Sequence, residues 1–227
     1  MRIRSVVLSL TILCLAMAAY AGTTTFYNDG GIDGNDNAFF ISGPNNPNPA
    51  GSIQDISNGF ISAASGAPNT LMFGEWVASG STPTGVSYEL GSSAFGTDLG
   101  SGTVVQNSGN TTLLETNGFG YGVWATTVSI TSGAMTSGNE YWLSLSNATD
   151  SGGTNSGAWD IPNTGLGGPA TCNFRQSGTN FGNCGLGGES FTLTGTQGGT
   201  TPEPSSIMLF GSGILGLAGI LRRKLNR

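Results

Sequence analysis

Twelve carboxylates and a single base, Arg175, lie between residues 22 and 201, and no histidine occurs anywhere in the chain. The commonest general base and commonest metal ligand are therefore missing. Ser and Thr abound, but a hydroxyl nucleophile needs a base beside it, which disfavours a serine hydrolase. A glycosidase needs only two carboxylates roughly 5 to 10 Å apart. Glu75, Glu140, Asp150 and Asp160 are of the right type, and a lone sequence does not pair them, so the expectation is a non-catalytic protein. Asp29, Asp33 and Asp36 sit in a Gly- and Asn-rich run, Asn28 to Asn37. Clustered oxygens on such a loop are suited to calcium. Their spacing departs from the EF-hand loop, and a solvated turn is the plainer alternative. No other cofactor is expected. Trp159, next to Asp160 in a stretch that reads as loop, is the aromatic-with-carboxylate pattern that grips a sugar ring. Trp76, Trp124 and Trp142 fall in strand-like runs and are expected in the core.

The elements that must position these residues read as strands. Ala38 to Ser42, Gly59 to Ala64, Leu71 to Ala78, Gly85 to Leu90, Thr103 to Gln106, Gly120 to Ile130, Glu140 to Ser146 and Ser190 to Thr194 recur between turn signals. Several alternate with period two: Val86, Tyr88 and Leu90; Tyr141, Leu143 and Leu145; Phe191 and Leu193. Regularly spaced short strands of this kind predict an all-β fold, an antiparallel β-sandwich or jelly roll, over residues 22–197. The 39 glycines and only 9% charged residues agree with many turns and few surface helices. Gly43 to Gly51 and Asp150 to Gly188 look too rich in Gly, Asn, Ser and Pro to be strands. No fixed-period repeat is present, which disfavours a solenoid or propeller.

Residues 1–21 read as a signal peptide. Arg2 and Arg4 form a positive start, Val6 to Ala19 is nearly continuous apolar sequence, and Ala19-Tyr20-Ala21 is a small-x-small cleavage site before Gly22. The alternatives are an uncleaved anchor, which the short apolar run argues against, and a lipoprotein, for which Leu13 before Cys14 is the wrong residue. After cleavage only Cys172 and Cys184 remain. An even count in an exported chain predicts a disulfide, worth about 3 kcal/mol for a loop of this size. Two thiols without histidine are too few ligands for zinc.

The other end has a linker at 198–201, then Pro202-Glu203-Pro204, a charge-free apolar run from Ser205 to Leu221, and Arg222-Arg223-Lys224. A helix of that length spans roughly 26 Å, at the short end for a bilayer, with the basic cluster on the cytoplasmic side. This order over residues 202–227 resembles the PEP-CTERM sorting domain of Gram-negative bacteria. The resemblance implies an exported protein of the cell envelope, cell surface or extracellular matrix. Its C-terminal hydrophobic helix would lie in the inner membrane until an exosortase, a membrane-embedded cysteine protease, recognises and processes the tail. A plain single-span anchor is the alternative. The runs Leu71 to Val77, Ser93 to Gly102, Asn117 to Trp124 and Asn139 to Ala148 resemble β-sandwich modules carried by other such proteins, and imply no catalytic residues. Bacteria with this sorting system typically make exopolysaccharide and biofilm, so a structural or adhesive role is expected, with exopolysaccharide binding as the alternative. The net charge of −11 over residues 22–201, against −6 for the whole chain, argues against nucleic acid as a partner.

Overall fold

A computed structural model describes residues 22–34, 37–41, 55–153, 157–161, 172–176, 179–184 and 188–196. The chain divides into one unit of residues 1–197 and a second of 198–227. The expected signal peptide, Asp36, the Gly43 to Gly51 stretch and the expected sorting segment lie outside the described residues, as do the latter's residues Pro202, Glu203, Pro204, Arg222, Arg223 and Lys224 and the expected cleavage residues Ala19 and Ala21. Gly22 is the first described residue and is exposed.

The described residues contain thirteen strands: β1 (Thr23–Asn28), β2 (Asn37–Phe40), β3 (Asp55–Ile61), β4 (Thr70–Ala78), β5 (Pro83–Gly91), β6 (Gly100–Val105), β7 (Thr111–Thr116), β8 (Tyr121–Ser129), β9 (Glu140–Asp150), β10 (Gly157–Ile161), β11 (Cys172–Gln176), β12 (Thr179–Asn183) and β13 (Phe191–Thr196). No helix occurs among them. They form two antiparallel sheets, consistent with a β-sandwich. The first holds seven strands, β1-β13-β4-β10-β2 with β8 and then β7 on the far edge of β4; the second runs β12-β11-β3-β9-β5-β6.

Strand β4 is the hinge of the first sheet. One edge pairs with β8 over its whole length. The other is shared: Thr70 to Phe73 pair with β13, and Glu75 to Val77 pair with β10. Gly74 sits at the changeover and donates its amide to Ser190 O. A methyl group there would lie 2.7 Å from Ile32 Cγ2 and 2.9 Å from Asp160 Cβ, so only glycine lets these neighbours approach so closely.

Period two decides the layers. Val86, Tyr88, Leu90, Tyr141, Leu143, Leu145, Phe191 and Leu193 are all buried in one core between the sheets, with Phe26, Tyr27, Ile56, Phe60, Leu71, Phe73 and Trp159. Tyr27 packs on Phe60 and Phe191 with ring centroids 4.9 and 4.7 Å apart. A second, smaller cluster of Trp76, Val123 and Ala158 covers the outer face of the first sheet, joined by Ile32, Ala38, Phe40 and Tyr121.

The stretch from Asp150 to Gly188 is not a loop throughout, since β10, β11 and β12 lie in it. All five residues of β10 are buried, so its sequence carries no alternation, and its Gly- and Asn-rich flanks disguised it. Strands β11 and β12 form a hairpin on the edge of the second sheet, where polar residues such as Asn173, Arg175 and Asn180 are tolerated. Strand β1, rich in threonine, adds to the edge of β13.

Candidate functional site

The acidic residues that attract attention in the sequence are mostly buried. Glu75, Asp160 and Glu189 are fully inaccessible, and Asp29 and Asp150 nearly so. They fall into three groups.

On the inner face of the first sheet, Glu75 stands in register between Trp124 and Trp159. Gln106 Nε2 donates to Glu75 Oε2 at 2.7 Å and to Thr126 Oγ1 at 2.9 Å. Burial pushes the Glu75 carboxyl up to about 8; the Gln106 bond opposes this, and the nearby Asp150 charge adds to it. Glu75 therefore holds a proton at neutral pH. Glu140, by contrast, is exposed at the start of β9.

On the outer face, Asp160 accepts from Trp76 Nε1 at 2.6 Å and from the backbone amides of Asp33 and Gly34 at 3.2 Å each. Burial raises its carboxyl to about 6, against the pull of these donors. Asp160 thus pins the segment after β1 onto the sheet. Trp159 points the other way, fully buried, with its indole donating to Ser190 O at 3.1 Å. The expectation of an exposed Trp159 on a loop is corrected: the pair belongs to a central strand, and alternation sends its two side chains to opposite faces of one sheet. Trp76 is buried, and Trp124 and Trp142 are half-buried.

The third group lies between the sheets. Asp29 donates its amide to Phe191 O and faces Tyr27; burial raises its carboxyl to about 6, opposed by the Tyr27 hydroxyl. Glu189, immediately before β13, is pushed up to about 8, chiefly by burial and further by the charge of Asp29. Its Oε1 lies 2.9 Å from Cys172 Sγ. Cys172 and Cys184 form a disulfide with Cα atoms 5.3 Å apart, as the cysteine count predicts. Although the two sulfurs and a Glu189 oxygen gather within 4.8 Å, the thiols are consumed by the disulfide and do not serve as thiolate ligands.

The grouping of Asp29, Asp33 and Asp36 is not brought together among the described residues. Asp29 turns inward to Tyr27, while the Asp33 amide is held by Asp160 on the opposite face of the sheet. Asn58, Gln106 and Glu189 are not among the sequence candidates, and Glu75 is there only as one of four carboxylates of the right type for a glycosidase. The signal existed: Asn58 lies in inward register between Ile56 and Phe60, and Glu75 between Phe73 and Val77.

Among the described residues, an accessible groove of about 490 Å³ runs between β6 and β8, lined by Tyr88, Thr103, Asn110, Thr127, Ser129 and Thr131 among others. Its polar groups are hydroxyls and amides rather than charges.

Residues 200–224 match the PEP-CTERM protein-sorting motif. No curated protein matches the chain. The C-terminal segment is therefore a sorting signal of the kind carried by exported, envelope-associated proteins, attached to an all-β domain.

Proposed function

We propose that this chain is a non-catalytic structural or adhesive protein of the cell surface or extracellular matrix, delivered by its C-terminal signal. The observation that carries the reading is the sorting-motif match over residues 200–224. An exosortase-type enzyme is the processing partner: the apolar segment holds the chain in the inner membrane until Pro202-Glu203-Pro204 is recognised and the tail is removed. The sandwich then remains outside, soluble by its acidic surface. Burial of Glu75, Asp160 and Glu189 supports a non-enzymatic role, because a carboxylate sealed from solvent does not meet a polymeric substrate. The test is the intact mass of the protein from its native host, beside a variant with Pro202, Glu203 and Pro204 replaced by alanine. The expected result is a native chain beginning at Gly22 without its apolar tail, and a variant that keeps the tail. If both chains extend to Arg227, the sorting reading fails.

A second reading, binding of a neutral exopolysaccharide, is favoured by the uncharged, hydroxyl-lined groove between β6 and β8. Hydroxyls and amides exchange hydrogen bonds with sugar hydroxyls without desolvating a charge. Retention on a panel of polysaccharides, reduced by Asn110→Ala with Thr127→Ala, is the expected result. No retention on any of them would remove this reading and leave the structural role.

A further inference from the structure

Asp29, Asn58 and Glu189 come from three different elements: the end of β1, the inward face of β3 and the entry to β13. Asn58 is 1% exposed, and neither Oδ1 nor Nδ2 of its amide has a hydrogen-bond partner. Asp29 Oδ2 and Glu189 Oε2 are likewise buried and unpartnered. The Asp29 and Asn58 side chains converge on one point. A methyl group on Gly188 would overlap Asp29 Oδ2 and lie 3.3 Å from Asn58 Nδ2. The Tyr27 hydroxyl bonds Asp29, the charge of Asp29 acts on the Glu189 carboxyl, and Glu189 Oε1 lies against the Cys172 sulfur. Among the described residues, no basic side chain neutralises the pair. Arg175, the sole base in residues 22–201, is paired with Asp55 at 2.7 Å and lies over the Phe95 ring.

Two carboxylates and a free amide, enclosed without a cation of their own, form an incomplete set of hard oxygen donors. A buried amide without hydrogen-bond partners is costly to keep, so such a set persists where something completes it. We propose that Asp29, Asn58 and Glu189 form a divalent-cation site, suited to calcium, that clasps the two sheets together beside the Cys172–Cys184 disulfide. The donor set selects the metal. Carboxylate and amide oxygens suit calcium and magnesium rather than zinc or copper, which want nitrogen or thiolate. Calcium also accepts the irregular geometry of an inter-sheet pocket, whereas magnesium demands near-ideal octahedral ligation and retains its waters. The Asn58 amide is free to present its oxygen, because half a turn of the group breaks no bond.

The test is thermal melting of the full-length chain in chelator and then in rising calcium, beside the same titration with magnesium. At about a hundredfold excess over Kd, calcium is expected to raise the Tm by roughly 5 to 10 °C, and magnesium by less. Asp29→Asn and Glu189→Gln keep the shapes and should each weaken calcium binding at least tenfold. Asp33→Asn, outside the site, should leave the shift intact. Terbium luminescence of the wild-type chain, sensitised by nearby aromatic rings and quenched by competing calcium, gives a readout that needs no variant to fold. A Tm that calcium does not move, together with no terbium emission, would overturn the proposal. So would a shift that survives both Asp29→Asn and Glu189→Gln, or one that Asp33→Asn abolishes.

Discussion

The indole nitrogen of Trp76 on β4 donates to Asp160 Oδ1 on β10 at 2.6 Å, joining two strands whose side chains would otherwise share only an apolar outer face. The same carboxylate takes the Asp33 and Gly34 amides, and the Trp76 ring is covered by Phe119, with centroids 5.9 Å apart. Asp160 is thus the acceptor that lets polar backbone lie over a buried surface. Asp160→Ala leaves three donors without a partner, so a loss of about 3–5 kcal/mol is expected. Trp76→Phe removes one donor and part of the indole, for a loss of about 1–3 kcal/mol. Urea midpoints measured on both variants check this, and equal, negligible losses would refute it.

Gly74 carries a related prediction. A methyl group there meets Ile32 and Asp160 closer than van der Waals contact permits, and neither lies at the end of a long flexible side chain. Gly74→Ala should therefore lift the Ile32 segment from the sheet and destabilise the fold by about 1–3 kcal/mol. Protection of the Asp33 and Gly34 amides from hydrogen exchange should fall more than that of Leu143 and Leu145 in the main core. A uniform fall across both groups would count against a local effect.

These two relationships mark where the sequence was legible and where it was not. Alternation in Gly85 to Leu90 and in Glu140 to Ser146 assigned Val86, Tyr88 and Leu90, and Tyr141, Leu143 and Leu145, each to one face, and all six are buried together. The disulfide followed from counting cysteines. Trp159 and Asp160 misled because β10 is covered on both faces, which erases the period that would reveal a strand. The edge strands β1 and β12, and β11 next to β12, were hidden by the polar composition that sheet margins tolerate. That Asn58 lies beside Gly188 was unreadable because 130 positions separate them; only the stacking of two sheets makes them neighbours.

The disulfide should matter more than its length of loop suggests. It ties Cys172, paired across strands with Asn58, to Cys184, whose amide already bonds Cys172 O at 2.9 Å. Loop closure alone accounts for about 3 kcal/mol. Replacing both cysteines by serine also sets hydroxyls against Glu189, so a loss of about 3–5 kcal/mol in urea is expected. The reduced wild-type chain should lose a comparable amount. If reduction leaves the midpoint unchanged, the bond does not constrain the unfolded chain.

The buried acids make an unusual prediction about pH. Glu75 titrates near 8 and Asp160 near 6 in the folded chain, both raised mainly by burial, while in the unfolded chain both lose their protons near the ordinary carboxylate value. Between those limits the folded state binds more protons than the unfolded one, so stability falls as pH rises. The contribution is fully present below about pH 4 and is lost by about pH 8; for Glu75, which has no exposed surface, it amounts to roughly a few kcal/mol. Glu189 and Asp29 are shifted in the same direction and add to the slope when a chelator is present. The Tm in chelator should therefore decline from about pH 4.5 to pH 8, the reverse of ordinary acid denaturation. Glu75→Gln keeps an acceptor for Gln106 and removes the ionisable group, so it should flatten the decline and exceed the wild type in Tm at pH 8. A wild-type Tm that climbs over this range, matched by the variant, would mean that Glu75 is ionised inside the folded domain.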